Sequence, residues 1–110
     1  MTTVSIWRDN TTGKIKAFEF YGHAKYAKFG KDIVCSAVSV LSLTTINSIE
    51  KFCSDEFDVT HNDKEALIRC VFKNECSDDA MLLLNSMILG LEQIQNEYGN
   101  KYIKINFEEV

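Results

Sequence analysis

No two of the four cysteines, Cys35, Cys53, Cys70 and Cys76, form a C-x-x-C pair. That absence argues against a thioredoxin-type redox motif and against a zinc knuckle, and no metal site is expected. A cationic excess is missing too. Lys and Arg number 12 against 16 Asp and Glu, a formal charge of −4, so a tight, non-specific grip on a nucleic-acid backbone is not expected. The opening "MTTVSIWRDN" lacks the basic start, apolar stretch and small-residue cleavage pattern of a secretory leader. The longest run without charge, 33–49, is broken by Ser36, Ser39, Ser42, Thr44, Thr45, Asn47 and Ser48, which makes it too polar for a bilayer-facing span. These absences lead us to expect a cytoplasmic protein with no membrane partner, in a compartment where disulfides do not form.

What is present is ordinary globular composition. With 110 residues, 45% hydrophobic and 25% charged, the chain suits a single domain, 1–110, with one real core. "TTVSIWR" and "KIKAFEFY" alternate as strands around the turn cluster "DNTTG". A helix follows over 32–52. "EFDVTH" and "EALIRCVF" make a second hairpin around "NDK", a second helix runs over 77–98, and "KYIKINFEE" is a last strand. The second helix carries clear end signals: Ser77 as N-cap, Asp78 and Asp79 in the first turn, Gly99 at the end. Its apolar stripe, Ala80, Leu84, Met87, Leu91, Ile94 and Tyr98, is built to face a sheet. The order ββαββαβ predicts an α+β fold, a mostly antiparallel sheet with two helices.

The first helix has no solvent face of the usual kind. One stripe, Val34, Val38, Leu41, Thr45, Ile49 and Phe52, suits the domain's own sheet. The other side offers Ser39, Ser42, Leu43 and Ile46, with no charge between Asp32 and Glu50. An apolar strip containing Leu43 and Ile46 calls for cover, and a second copy of the chain is the simplest cover, so a homodimer is expected.

Asp32 reads as the N-cap of that helix, which puts Cys35 in its first turn. There the unpaired N–H groups and the positive end of the dipole favour an anion. The thiolate is the reactive form of cysteine, and the same N–H groups could donate to an oxyanion. His23 stands twelve positions earlier, after Gly22, where a glycine lets the chain leave a strand sharply. Brought together, the two would act as a Cys–His dyad, with His23 taking the thiol proton and returning it to a leaving amine. The bland alternative is a small buried thiol and a surface imidazole. His61 ends a strand far from any cysteine in sequence and reads as structural. Cys70 reads as core, and Cys53 and Cys76 lie near element ends without an activating position. Between dyad members, "AKYAKFGKD" interleaves Lys25, Lys28 and Lys31 with Tyr26 and Phe29, and Gly30 suits a hinge. The segment could clamp a peptide, touch RNA, or be a plain surface loop.

"GHA", a short loop, then "GKDIVCSAVS" resembles the signature of the ribosomal-processing cysteine protease family, Prp. The resemblance extends to the length, the element order and the uncharged first helix. It implies a cysteine endopeptidase that removes the N-terminal extension of a bacterial large-subunit ribosomal protein, cutting after an aromatic pair and before a small residue. It implies Cys35 as nucleophile and His23 as base, with Gly22, Asp32 and Ser39 in supporting roles, and a homodimer. Asp32 could cap the helix or orient His23. The partner implied is the N-terminal peptide of that ribosomal protein. No cofactor is implied, because thiol and imidazole suffice for acyl transfer, and no direct nucleic-acid contact is expected. The competing expectation is a non-catalytic ribosome- or RNA-associated binding module using the lysines and aromatics of the 24–31 loop.

Overall fold

The computed structural model describes residues 1–28 and 31–110. The elements are β1 (Thr2–Arg8), β2 (Ile15–Tyr21), α1 (Ile33–Phe52), β3 (Phe57–Asn62), β4 (Leu67–Phe72), α2 (Asp78–Tyr98) and β5 (Ile103–Glu109). This is the expected ββαββαβ order. The five strands lie in the order β3-β4-β2-β1-β5. All neighbours are antiparallel except β1 and β5, which run parallel.

Register decides which side chains meet the helices. Val4 lies opposite Phe20, Ile6 opposite Phe18, and Phe18 opposite Cys70. All of these are buried, and they join Val34, Val38 and Ile49 of α1 with Leu84, Met87 and Leu91 of α2 in one core. Both helices therefore lie on a single face of the sheet. They also touch each other: a Cβ on Gly90 of α2 would stand 3.0 Å from the methyls of Leu41 on α1, so the missing side chain permits the close approach.

By length and mean hydropathy α1 could cross a membrane (20 residues, 1.5). Here its apolar side roofs the sheet instead. Its buried set is Val34, Val38, Ser42, Thr45, Ile46 and Ile49, which corrects the expected stripe in three places. Ile46 is core, at 7% exposure, whereas Phe52 is 70% exposed. Ser42 replaces Leu41 on the buried line, with Leu41 partly buried against the core. Burying Ser42 and Thr45 is tolerable because each hydroxyl donates back to its own helix, Ser42 to the Ser39 carbonyl at 3.1 Å and Thr45 to the Leu41 carbonyl at 2.7 Å. The large apolar side chains left exposed on α1 are Ile33, Val40 and Leu43 on its outer side and Phe52 at its C-terminal end.

Ile46→Ala should therefore lower unfolding free energy by about 2–4 kcal/mol, the cost of a cavity in a packed core. Leu43→Ala, on the exposed strip, should cost less than about 1 kcal/mol. Urea denaturation of both variants measures the difference, and equal losses would contradict the assignment of Ile46 to the core.

Candidate active site

The start of α1 is fixed by one carboxylate. Asp32 holds N-cap geometry, φ −84° and ψ 101°, and its Oδ1 accepts the Cys35 N–H at 2.9 Å. Its Oδ2 accepts the N–H of Tyr26 at 2.8 Å and of Ala27 at 3.3 Å. The carboxylate thus caps the helix and also ties the preceding segment onto it. Asp32 is only 5% exposed. Burial opposes its charge, but the N–H groups of Cys35, Tyr26 and Ala27, together with the Cys35 thiol, donate to it and hold its carboxyl below the usual carboxylate range.

Cys35 is half-buried in the first turn, and its Sγ accepts the N–H of Ala24 at 3.1 Å. Ala24 directly follows His23, so the backbone carrying the imidazole rests against the thiol. Gly22 makes that delivery possible. Its φ is +88°, and a Cβ there would lie 2.7 Å from the Met1 carbonyl oxygen, so a side chain meets both a strained backbone and a steric block. The Gly22 carbonyl accepts the Thr2 hydroxyl at 2.9 Å, fixing where the chain leaves β2.

A groove of about 1010 Å³ opens at this point, bordered by Gly22, His23, Lys25, Asp32, Cys35 and Ser39. The sequence-predicted site residues that meet there are these six. Tyr26, Lys28 and Lys31 are described but do not border the groove. The Tyr26 ring packs instead against Tyr98 and Tyr102. Phe29 and Gly30, assigned to the same loop from the sequence, lie outside the described residues. The floor and rims are largely apolar, with Phe20, Val38, Val40, Leu43, Leu67 and Ile68.

The profile of the family described as "Cysteine protease Prp" matches residues 1–104. The chain belongs to the cysteine protease Prp family. It is 31% identical over 108 residues to the ribosomal processing cysteine protease Prp of Staphylococcus aureus strain Mu50, covering 98% of this chain and 100% of that one. To the Prp of Bacillus subtilis strain 168 it is 28% identical over 102 residues, covering 89% and 90%. A crystal structure of Prp from S. aureus in complex with a covalently linked product peptide superimposes with a TM-score of 0.91 at 30% identity, over 98% of this chain and 100% of that one. A second, in complex with a substrate peptide, gives 0.86 at 29% identity over the same shares.

Within this Prp-family fold, one groove residue departs from its sequence reading. His61 was expected to be structural, yet it borders the groove on the wall opposite α1, with Nε2 2.7 Å from the Asp63 carboxylate. It lies opposite Ile68 on the helix-side face of β3, where α1 does not reach. Only the strand pairing reveals this, because nothing near His61 in the sequence points to α1. The other thiols are set apart by burial. Burial pushes Cys70 up to about 12. Cys76 is likewise raised to about 12, by burial and then by the Asp55 charge, and its thiol donates to the Ile15 carbonyl at 3.1 Å. Burial, then Asp55 and Asp79, also raises Cys53.

Two outcomes follow for this site. Iodoacetamide near neutral pH should label Cys35 well before Cys70 and Cys76, as read by peptide mass; equal labelling of Cys70 would contradict its place in the core. Asp32→Ala should cost about 1–2 kcal/mol through loss of the cap. Asp32 has a folded pKa below its ordinary value of about 3.9. Its stabilisation is therefore complete above that value and fades as pH falls through the folded one. The gap between wild type and Asp32→Ala should accordingly be constant from pH 5 to 8 and close in stronger acid; a gap unchanged at pH 2 would contradict the ionised cap.

Proposed function

We propose that this chain is a cysteine endopeptidase that removes the N-terminal extension of a large-subunit ribosomal protein, with Cys35 as nucleophile and His23 as its base. The observation that carries the reading is the contact between the Ala24 N–H and the Cys35 sulfur, which brings the histidine-bearing backbone onto a first-turn thiol at the edge of a groove. His23 takes the thiol proton as sulfur attacks the scissile carbonyl. The tetrahedral intermediate collapses with loss of the amine, which leaves with the proton from His23, and a thioester remains on Cys35. Water, giving its proton to His23, then hydrolyses the thioester and frees the thiol.

Oxyanion stabilisation in this reading draws on the Ala24 N–H beside the first-turn donors. The Cys35 N–H is committed to Asp32, whereas the Ala24 N–H already lies against the sulfur and can turn to the oxygen of the carbonyl that the sulfur attacks. The relatives support the reaction class: their names specify ribosomal processing, and one relative holds a covalently linked product peptide. The apolar rims, Val40, Leu43, Leu67 and Ile68, suit an aromatic pair ahead of the cut. Cleavage before a small residue completes the specificity we assign. The protein works in the cytoplasm as a homodimer in this reading, with Ile33 and Phe52, exposed apolar residues of α1 that the groove does not use, open to cover by pairing.

A synthetic peptide with an N-terminal extension ending in Phe-Phe, followed by Ala and Ser, should be cut between Phe and Ala, as read by product masses. Cys35→Ala should lose activity by a factor on the order of 10⁴ or more, and His23→Ala by about 10²–10⁴. A folded Cys35→Ala protein that still cuts would end this mechanism. Sedimentation at micromolar concentration should give a dimer; a monomer there would remove that part of the reading.

A further inference from the structure

Two tyrosines remote in sequence reach the short segment that carries His23: the backbone of Tyr102 is tied to its start, and the rings of Tyr98 and Tyr102 meet its end. Tyr102 lies just before β5, and its carbonyl accepts the Thr2 N–H at 2.9 Å. The Thr2 hydroxyl in turn donates to the Gly22 carbonyl at 2.9 Å. At the other end of the segment, the Tyr26 ring meets the Tyr102 ring edge-on, with centroids 5.0 Å apart at 75°, and the Tyr98 ring at 5.3 Å and 78°. Both are favourable aromatic geometries. Tyr98 is the last residue of α2.

Between these ties the backbone is under load. Lys25 has φ +60°, a region that costs a residue with a side chain and persists only where the surroundings enforce it. On one side of Lys25 the Ala24 N–H rests on the Cys35 sulfur. On the other, the Tyr26 N–H is bound to Asp32. Asp32 holds the backbone of residues 26 and 27. The ring of Tyr26 is the remaining handle, and the groove does not use it.

We propose that Tyr98 and Tyr102 are positioning residues for the thiol chemistry: through the ring of Tyr26 they hold the 22–26 segment in its strained turn, so that the Ala24 N–H stays on the Cys35 sulfur and His23 stays beside it. The proposal rests on Cys35 and His23 acting as above. It assigns Tyr26 a different task from peptide clamping. A substrate contact would show mainly in KM, whereas a positioning contact shows in kcat and in the thiol itself.

The experiment compares the Tyr98→Leu/Tyr102→Leu double variant, Tyr26→Ala, and the conservative Tyr98→Phe/Tyr102→Phe double variant with wild type. The readouts are kcat and KM on the Phe-Phe-Ala peptide, the pH profile of Cys35 alkylation by iodoacetamide, and the melting temperature. The Leu double variant and Tyr26→Ala should each lose on the order of 10- to 100-fold in kcat, with KM within about twofold of wild type and a shifted alkylation profile. The Phe double variant should keep wild-type values, since the contact uses ring edges and faces. If the Leu double variant fails to fold, Tyr26→Ala decides alone, because its side chain lies in an exposed loop. Wild-type kcat and alkylation profile in a folded Tyr26→Ala protein would overturn the proposal, and so would a loss confined to KM. Should Cys35→Ala still cut the peptide, the underlying mechanism fails instead, which separates the two.

Discussion

The carboxylate of Asp32 takes one backbone donor from the first turn of α1 and two from the segment before it, and does so almost fully buried. An isolated charge in that position would be costly to bury, so its donors are a condition of its being there. Once they are in place, three things follow from one group. The helix has a defined start, Cys35 has a defined place in its first turn, and the backbone of residues 26 and 27 is anchored to the same point. The backbone that carries His23 rests against the thiol because that anchor and the Gly22 turn fix the two ends of a very short path. Removing Asp32 would therefore loosen geometry as well as stability.

The groove itself comes from a mismatch of widths. Five strands at about 4.8 Å spacing need roughly 24 Å of cover, while two helices packed 8–10 Å apart roof about 20 Å. The edge strand β3 is left bare on the helix side, with Val59 and His61 exposed there. The charge-free outer side of α1 forms the facing wall. An extended peptide fits such a trough, with its side chains on apolar rims and the thiol at one end. The sheet edge and the helix mouth are thus parts of one site, although neither element contains the other's functional residues.

Much of this was legible in the sequence, for reasons that also explain the failures. Local signals worked: Asp32 and Ser77 do cap their helices, accepting the N–H groups of Cys35 and Ala80, because capping depends only on neighbours within a turn. The α1 stripe drifted because it was drawn through hydrophobic letters. Choosing Leu41 over Ser42 shifts a helix face by one residue, about 100°, and Ser42 could be buried only because its hydroxyl bonds back to the helix. Ile46 went to the core because it lies four residues after Ser42 on the same helical face. Contacts that depend on strand order were invisible: His61 reaches the groove through the β3–β4 register, and Tyr26 meets Tyr98 and Tyr102 only once β5 lies beside β1.

Two cysteines stand near helix starts, and their surroundings differ in the features that govern thiol reactivity. Cys76 stands immediately before the Ser77 cap of α2, as near a helix start as Cys35 by sequence count. Yet Cys76 is buried, donates a hydrogen bond to the Ile15 carbonyl, and is raised to about 12 by burial and by Asp55 beside it. Asp55 accepts the capping serine's N–H and hydroxyl, a single backbone donor against the three that Asp32 accepts, and its charge faces the thiol. Cys35 lies three residues inside its helix, opens onto the groove, and receives an N–H on its sulfur. The helix end is common to both. What differs is the register of the thiol relative to the cap, its access to solvent, and where the neighbouring carboxylate places its charge.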